Sequence, residues 1–232
     1  MIPKVIHYCW FGGNPLPKSA LKCIDRWKKY CPDYEIVEWN ERNFDVNMNQ
    51  YTKSCYENKQ WAYLSDYVRL FVVYQNGGFY FDTDVEMIRP VDELRTNESF
   101  WGFEDNQYVN SGVGFGAVSQ NRAIEMMLQE YMNLSPDRNE RVNCPKLNTD
   151  ALVKLGLEQN GQFQKLECAT VYPKDYFSPM DCLTGQIKIS DNTYTIHRYT
   201  MSALSNRKRI RTKITRTLRR LFGNDCFRWL KK

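Results

Sequence analysis

The sequence predicts an α/β domain over residues 1–205, a mixed β-sheet flanked by helices, followed by a basic amphipathic helical tail over residues 206–232. Three observations predict it. Strand-like and helix-like patterns alternate from the N-terminus, the order that gives parallel strands joined by crossover helices. The 232 residues are 42% hydrophobic and 14% aromatic, enough for a sizeable core. The charge is also divided. Residues 206–232 hold 11 Lys/Arg and 1 acid, which leaves 21 basic and 26 acidic residues in 1–205, so the net +5 is +10 on the tail and −5 on the body.

Residues 4–10 read as a first strand, closed by the turn Phe11-Gly12-Gly13-Asn14-Pro15. A helix is expected over 19–30, with Ser19 as N-cap and Leu21, Ile24 and Trp27 on one face. Residues 34–39 alternate as a second strand. A long helix over 62–74 carries Leu64, Val68, Leu70 and Phe71, and Gly77-Gly78 stops it. A strand then runs through Asp82 and Asp84, continuing over 86–90 past a turn. Further strands are expected over 100–103 and 112–118, and a helix over 121–132 capped by Asn121. Residues 134–148 read as polar loop, with a helix from Asn148 or Thr149 to Leu155 and late strands over 165–172 and 193–199. No internal repeat is present.

Several classes are excluded. The opening Met1-Ile2-Pro3-Lys4-Val5-Ile6-His7 lacks the long apolar region of a signal peptide. No run approaches the roughly 18 apolar residues of a membrane span, so the chain is expected to be cytoplasmic. The eight cysteines contain no C-x-x-C pair, which argues against a zinc cluster. In a reducing compartment they act as small hydrophobic residues.

The stretch Gly77-Gly78-Phe79-Tyr80-Phe81-Asp82-Thr83-Asp84 carries the chemistry. In a continuing strand both carboxylates point to one face. Two like charges so placed are relieved by a hard divalent cation, or are simply solvated at a turn. An EF-hand loop from Asp82 would need glycine where Met87 stands. A phosphohydrolase reading of Asp82-Thr83-Asp84-Val85 lacks a later acidic pair to hold magnesium. Upstream, Asp66 and Arg69 share a helix face. They form either a surface ion pair or a site where Asp66 accepts sugar hydroxyls and Arg69 presents its donor fork.

Together these residues resemble a glycosyltransferase family. Ile2-Pro3-Lys4-Val5-Ile6-His7-Tyr8-Cys9-Trp10-Phe11-Gly12-Gly13 is similar to the family's I-P-K-x-I-H-x-x-W-x-G opening, and Ala62…Ser65-Asp66-x-x-Arg69…Gly77-Gly78-x-Tyr80-x-Asp82-x-Asp84 to its D-x-D sugar-binding region. The family, glycosyltransferase family 32-like, includes capsular polysaccharide and initiating mannosyltransferases, with glucosylating clostridial toxins as distant relatives. The resemblance implies a GT-A-like (Rossmann-like) fold and a retaining transfer of a hexose from a nucleotide-diphosphate sugar, UDP-linked rather than GDP-linked. It implies Mn2+ or Mg2+ as cofactor, a glycan or lipid-linked glycan as acceptor, and a role in bacterial capsular, O-antigen or exopolysaccharide synthesis. By matching position, Trp10 would stack on the nucleobase and Ser65, Asp66 and Arg69 would contact sugar and ribose. Tyr80 would hold the nucleotide or diphosphate, Asp82 would bridge sugar nucleotide and metal, and Asp84 would ligate the metal. The late segment Ile196-His197-Arg198-Tyr199-Thr200-Met201-Ser202-Ala203 keeps the family's His and Ser but has Ala203 for its Trp. His197 is a third metal ligand or a structural residue, and His7 supports the first strand. The alternative for Trp10 is a place in the core. Asn110-Ser111-Gly112 either brings an amide to the donor or acceptor or forms a plain turn, with Glu104 and Asp105 as alternatives. Phe177-Ser178-Pro179 resembles a structural F-x-P feature.

The tail places Ile210, Ile214, Leu218, Leu221 and Phe222 at helical spacing among Arg and Lys, with Phe227, Trp229 and Leu230 beyond them. Such a pattern suits peripheral attachment to the anionic inner face of the cell membrane, or a helix packing its apolar stripe on the body. No nucleic-acid partner is expected for an enzyme. The alternative to an enzyme is a non-catalytic membrane- or nucleic-acid-binding protein acting through this tail.

Overall fold

The computed structural model describes residues 1–134, 144–200, 206–223 and 226. Its strands are β1 (Val5–Cys9), β2 (Glu35–Trp39), β3 (Gly78–Tyr80), β4 (Val85–Met87), β5 (Ser99–Gly102), β6 (Phe115–Ala117), β7 (Gln164–Lys165), β8 (Thr170–Tyr172) and β9 (Thr195–His197). Its helices are α1 (Lys18–Tyr30), α2 (Gln50–Glu57), α3 (Trp61–Asn76), α4 (Arg122–Met132), α5 (Cys144–Val153) and α6 (Asn206–Phe222). Seven strands form one mixed sheet in the order β2-β1-β3-β6-β5-β8-β7, and β4 and β9 form a separate antiparallel pair. β1 runs parallel to β2 and β3, while β6 is antiparallel to β3 and β5. The predicted α/β class with a helix-flanked mixed sheet is the observed one.

The sheet is buried on both faces, and period-two alternation sorts its side chains. Phe79 and Phe100 enter one cluster with Trp27 of α1, while Tyr80 and Trp101 enter the other with Leu64 and Val68 of α3. Trp101 and Phe115 stack in that second layer at 4.5 Å. On the first face, the Trp27 indole N–H donates to the Val85 carbonyl at 2.9 Å, tying α1 to β4 directly after the acidic pair. His7 also has a structural place. Its Nε2 lies 2.9 Å from the Gly77 carbonyl, and its Nδ1 accepts from the Trp39 indole at 3.1 Å. Both ring nitrogens are thereby engaged in holding β1 to its neighbours. Six of the eight cysteines are buried as thiols.

Several elements differ from their sequence patterns. The strand expected through Asp82 and Asp84 stops at Tyr80. A turn comes next, closed by Val85 N–H to the Asp82 carbonyl at 2.9 Å, and the chain then leaves the main sheet. Ser19 lies inside α1, where Pro17 holds the N-cap position with extended backbone and no side-chain bond. The buried face of α1 is Ala20, Cys23, Ile24 and Trp27, and Leu21 is exposed. Helix α2 has no apolar period strong enough to announce it, yet Asn49 caps it by accepting from Thr52 N–H at 2.9 Å. α5 starts at Cys144, four residues before the expected Asn148, and residues 135–143 of the expected loop lie outside the described residues. The single late strand over 165–172 is an antiparallel hairpin of β7 and β8.

Gly77 and Gly78 explain how α3 turns into β3. Both have left-handed backbones, with φ of 68° and 108°. A Cβ on Gly78 would lie 2.8 Å from the Val5 carbonyl oxygen and 3.0 Å from His7 Nε2. Gly78→Ala is expected to cost about 1–3 kcal/mol, read as an earlier midpoint in chemical denaturation; an unchanged midpoint would contradict the close approach.

Candidate functional site

The acidic turn, the start of α3 and the strap after β9 converge on one cleft of about 490 Å³. Its walls include Trp10 and Phe11 from the end of β1, Trp61, Ser65 and Arg69 from α3, and Asp82 and Asp84 from the turn. His197 and Tyr199 close it from the strap. Although no strand continues through the acidic pair, the turn brings both carboxylates to the same place. Asp82, Asp84 and His197 each offer a ligand atom, all within 4.8 Å of one another.

Arg69 organises the floor. Its guanidinium is buried and lies 2.9 Å from Asp66 Oδ1 and 3.1 Å from Asp82 Oδ1. Its Nε donates to the Ser65 carbonyl at 3.2 Å and its third nitrogen to Ser111 Oγ at 3.4 Å. The Tyr80 ring stacks beneath it at 5.1 Å, and the Tyr80 hydroxyl donates to Asp82 Oδ1 at 3.0 Å. Asp66 and Arg69 therefore form a buried ion pair at the cleft rather than a solvated surface pair. Burial pushes the Asp66 carboxyl up to about 6, against the pull of Arg69 and helped by the nearby Asp82 charge. Burial also raises Asp82, with Arg69 opposing it.

Asp84 is held differently. Its Oδ2 accepts the Thr200 backbone N–H at 2.7 Å and the Thr200 hydroxyl at 2.9 Å. Its Oδ1 faces His197 Nε2 at 3.1 Å. Burial alone would raise the carboxyl, but His197 and Thr200 outweigh it and hold Asp84 well below the usual carboxylate range. Burial works against a charged His197, and the Asp84 carboxylate overcomes it, so the imidazole lies above its ordinary value.

These donors fit a divalent cation. One atom of each carboxylate is engaged elsewhere, Asp82 Oδ1 by Arg69 and Tyr80 and Asp84 Oδ2 by Thr200. Asp82 Oδ2, Asp84 Oδ1 and the His197 imidazole, now paired with Asp84 Oδ1 at 3.1 Å, make a set of hard and borderline donors suited to Mn2+ or Mg2+, with a cation taking the place of the Asp84–His197 contact. A Cβ on Gly112 would lie 2.7 Å from Asp82 Oδ2 and 2.9 Å from the Arg69 guanidinium, so glycine keeps that side open.

The structure brings Trp10, Ser65, Arg69, Asp82, Asp84 and His197 to the cleft wall. Asp66 sits behind Arg69, and Tyr80 is 1% exposed beneath the floor, because alternation in β3 sends its ring into the helix-side core. Tyr80 therefore reaches the cleft through Asp82 and Arg69 instead of touching it. Asn110 does not line the cleft; its Oδ1 accepts from Gly112 N–H at 2.7 Å and shapes the turn beside Asp82. Asp105 likewise caps its own turn, accepting from Gln107 and Tyr108 N–H groups. Phe177 packs in the core on Phe100. Ser202 and Ala203 lie outside the described residues.

Sequence reasoning passes over Trp61, Tyr199 and Thr200. Trp61 stands one residue before the Ala62…Asp84 motif and packs over Gly12, whose Cβ would lie 2.8 Å from the indole. Tyr199 has a left-handed backbone, φ 46°, and packs its ring on His197 at 4.1 Å. Alternate residues of the strap serve two clefts. His197 and Tyr199 face the acidic cleft, while Arg198 and Thr200 line a second cleft of about 450 Å³ with Lys22, Cys23 and Arg26 of α1. Asp84 borders both clefts. Arg198 and Arg26 converge there on Glu86.

The chain is similar in part to known proteins. A family described as "Glycosyltransferase sugar-binding region containing DXD motif" matches residues 17–101. Inositol phosphoceramide mannosyltransferase 3 of Schizosaccharomyces pombe is 34% identical over 105 residues, 40% of this chain and 27% of that protein. Inositol phosphoceramide mannosyltransferase 1 of the same yeast is 26% identical over 113 residues, 43% of this chain and 33% of that protein. The matched region thus spans about a third or less of each of these relatives. A solved structure, PaToxG glycosyltransferase, superposes with a TM-score of 0.52 at 18% identity, covering 66% of this chain and 68% of that one, which shows a shared fold. With its Asp82-x-Asp84 pair set at the mouth of a mixed, helix-flanked sheet, the chain carries over residues 17–101 a region that matches the DXD sugar-binding family, on a fold shared with a solved glycosyltransferase.

Proposed function

We propose that the protein transfers a hexose from a nucleotide-diphosphate sugar to a glycan or lipid-linked glycan acceptor, with divalent metal and with retention of configuration. One observation carries this reading: a single cleft holds two indoles, Trp10 and Trp61, together with Asp82, Asp84, His197 and Arg69. Indoles suit a nucleobase, and base–aromatic stacking is worth about 1–3 kcal/mol. Asp82, Asp84 and His197 would hold the metal, which when bound supplies positive charge to the departing diphosphate. The chain's own residues do the rest. Arg69 neutralises Asp66 behind it and Asp82 beside it, and holds Asp82 at the cleft wall. Thr200 fixes Asp84, and Tyr80 fixes Asp82. Ser65 offers a hydroxyl to donor hydroxyls, and Tyr199 covers His197 from water. UDP is the favoured carrier from the family resemblance, and similarity to mannosyltransferases makes GDP-mannose the comparison to run. The same resemblance supports a role in bacterial surface polysaccharide synthesis.

A thermal-shift panel of UDP- and GDP-sugars, with and without Mn2+, tests the donor. Saturation at about 100 times Kd adds about 2.7 kcal/mol, a rise of roughly 5–11 °C for a chain of this size. The rise is expected for one nucleotide class and only with metal. No shift with any donor would defeat the reading. Trp10→Ala is expected to raise donor KM about tenfold or more with kcat little changed, consistent with loss of one stacked ring. An unaltered KM would place the nucleobase elsewhere.

A further inference from the structure

Helix α6 sits on the body the wrong way round for a soluble amphipathic helix. Thr212, Thr215, Arg216 and Arg219 are its half-buried residues, together with Leu218 at the edge of that face. Arg216 makes the docking contacts, donating from Nε to the Cys182 carbonyl at 3.0 Å and from its terminal nitrogen to the Tyr199 carbonyl at 3.4 Å. The apolar residues point away. Ile210 is 59% exposed, Ile214 55%, Leu221 68% and Phe222 71%. At about 100° per residue, the stripe of Ile210, Ile214 and Leu221 lies roughly 170° round the helix from the face of Thr212, Thr215, Arg216 and Arg219. Burying apolar surface is the main reason a helix docks, yet here the body takes the polar stripe and leaves the apolar one uncovered.

The residues beside that stripe indicate what covers it. Arg207, Arg211, Lys213 and Arg220 are all exposed, and the helix has no acidic residue. An uncovered apolar stripe flanked by cations complements a surface with anionic headgroups over hydrocarbon. No described helix is long and apolar enough to cross a membrane, so the arrangement is one of lying in the interface. We propose that α6 seats the protein on an anionic phospholipid bilayer through Ile210, Ile214, Leu221 and Phe222, with its polar stripe held on the body by Arg216. Because Arg216 grips the Tyr199 carbonyl, the seated helix is joined directly to the wall of the acidic cleft. The proposal goes beyond the transferase reading and does not depend on it.

The test is co-flotation of the full chain with vesicles of phosphatidylcholine alone and of phosphatidylcholine mixed with phosphatidylglycerol, compared with the variant I210Q/I214Q/L221Q. The replaced side chains are exposed, so the thermal midpoint of the variant is expected to match that of the parent. The expected result is binding to the anionic vesicles that weakens with salt and falls at least about tenfold in the variant. Absence of flotation overturns the proposal, and so does equal flotation of parent and variant. A stripe-dependent dimer in light scattering without flotation assigns the surface to a second copy and also overturns it. Retention on duplex DNA by parent and variant alike, again without flotation, assigns the cations to a polyanion and overturns it as well.

Discussion

Asp84→Asn is expected to lower sugar-nucleotide turnover by about 10²–10³-fold, the loss typical when a preorganised electrostatic group is removed from a reacting centre. The amide keeps the shape of the carboxylate and can still accept the Thr200 N–H now 2.7 Å from Oδ2. It loses the charge that faces His197 and that Asp82 and His197 would share with a metal. The fold is expected to survive, because the hydrogen bond from Arg198 to this residue uses the Asp84 main-chain carbonyl, which the substitution leaves in place. Initial rates of transfer or donor hydrolysis across a Mn2+ titration make the measurement, with circular dichroism as the fold control. A variant within a few-fold of the parent at saturating metal would refute the metal assignment.

Arg69→Met has the largest expected effect on stability. The guanidinium is the shared cation of two carboxylates, at 2.9 Å from Asp66 and 3.1 Å from Asp82. Removing it leaves both acids poorly compensated in a buried setting, a change that costs about 3–5 kcal/mol. For a chain of this length the midpoint would fall by roughly 6–20 °C. The physical cause can be checked by a double-mutant cycle. Asp66→Asn in the Arg69→Met background removes one of the stranded charges and is expected to recover part of the loss. A single variant within about 1 kcal/mol of the parent, or a double variant no more stable than the single, would show that the charge pair does not govern stability.

The chemistry of this site was legible in the sequence because it is local. Asp66 and Arg69 lie one helical turn apart, and Asp82 and Asp84 sit within a single turn, so spacing alone brought each pair together. Trp10 and the glycine pair could be read for the same reason. The parts that escaped depend on tertiary direction. Nothing in residues 79–84 reveals that β3 ends at Tyr80 and that the acids converge through a turn instead of a shared strand face. The burial of Tyr80 comes from which side of the sheet α3 covers, a fact outside its own segment. Thr200 was unreadable because its partner Asp84 lies 116 residues away. In α6 the amphipathic pattern was plain, but its orientation follows tertiary contacts such as those of Arg216 with the Cys182 and Tyr199 carbonyls.

The strap from His197 to Thr200 gives odd-numbered side chains to one cleft and even-numbered ones to the other. This makes the segment intolerant of changed length. Deleting Tyr199 would move Thr200 to the opposite side of the strap, as a one-residue slip does in a strand. The clamp on Asp84 would then swing to the side of the imidazole. Natural insertions and deletions should therefore be displaced to loops such as the one over residues 158–163.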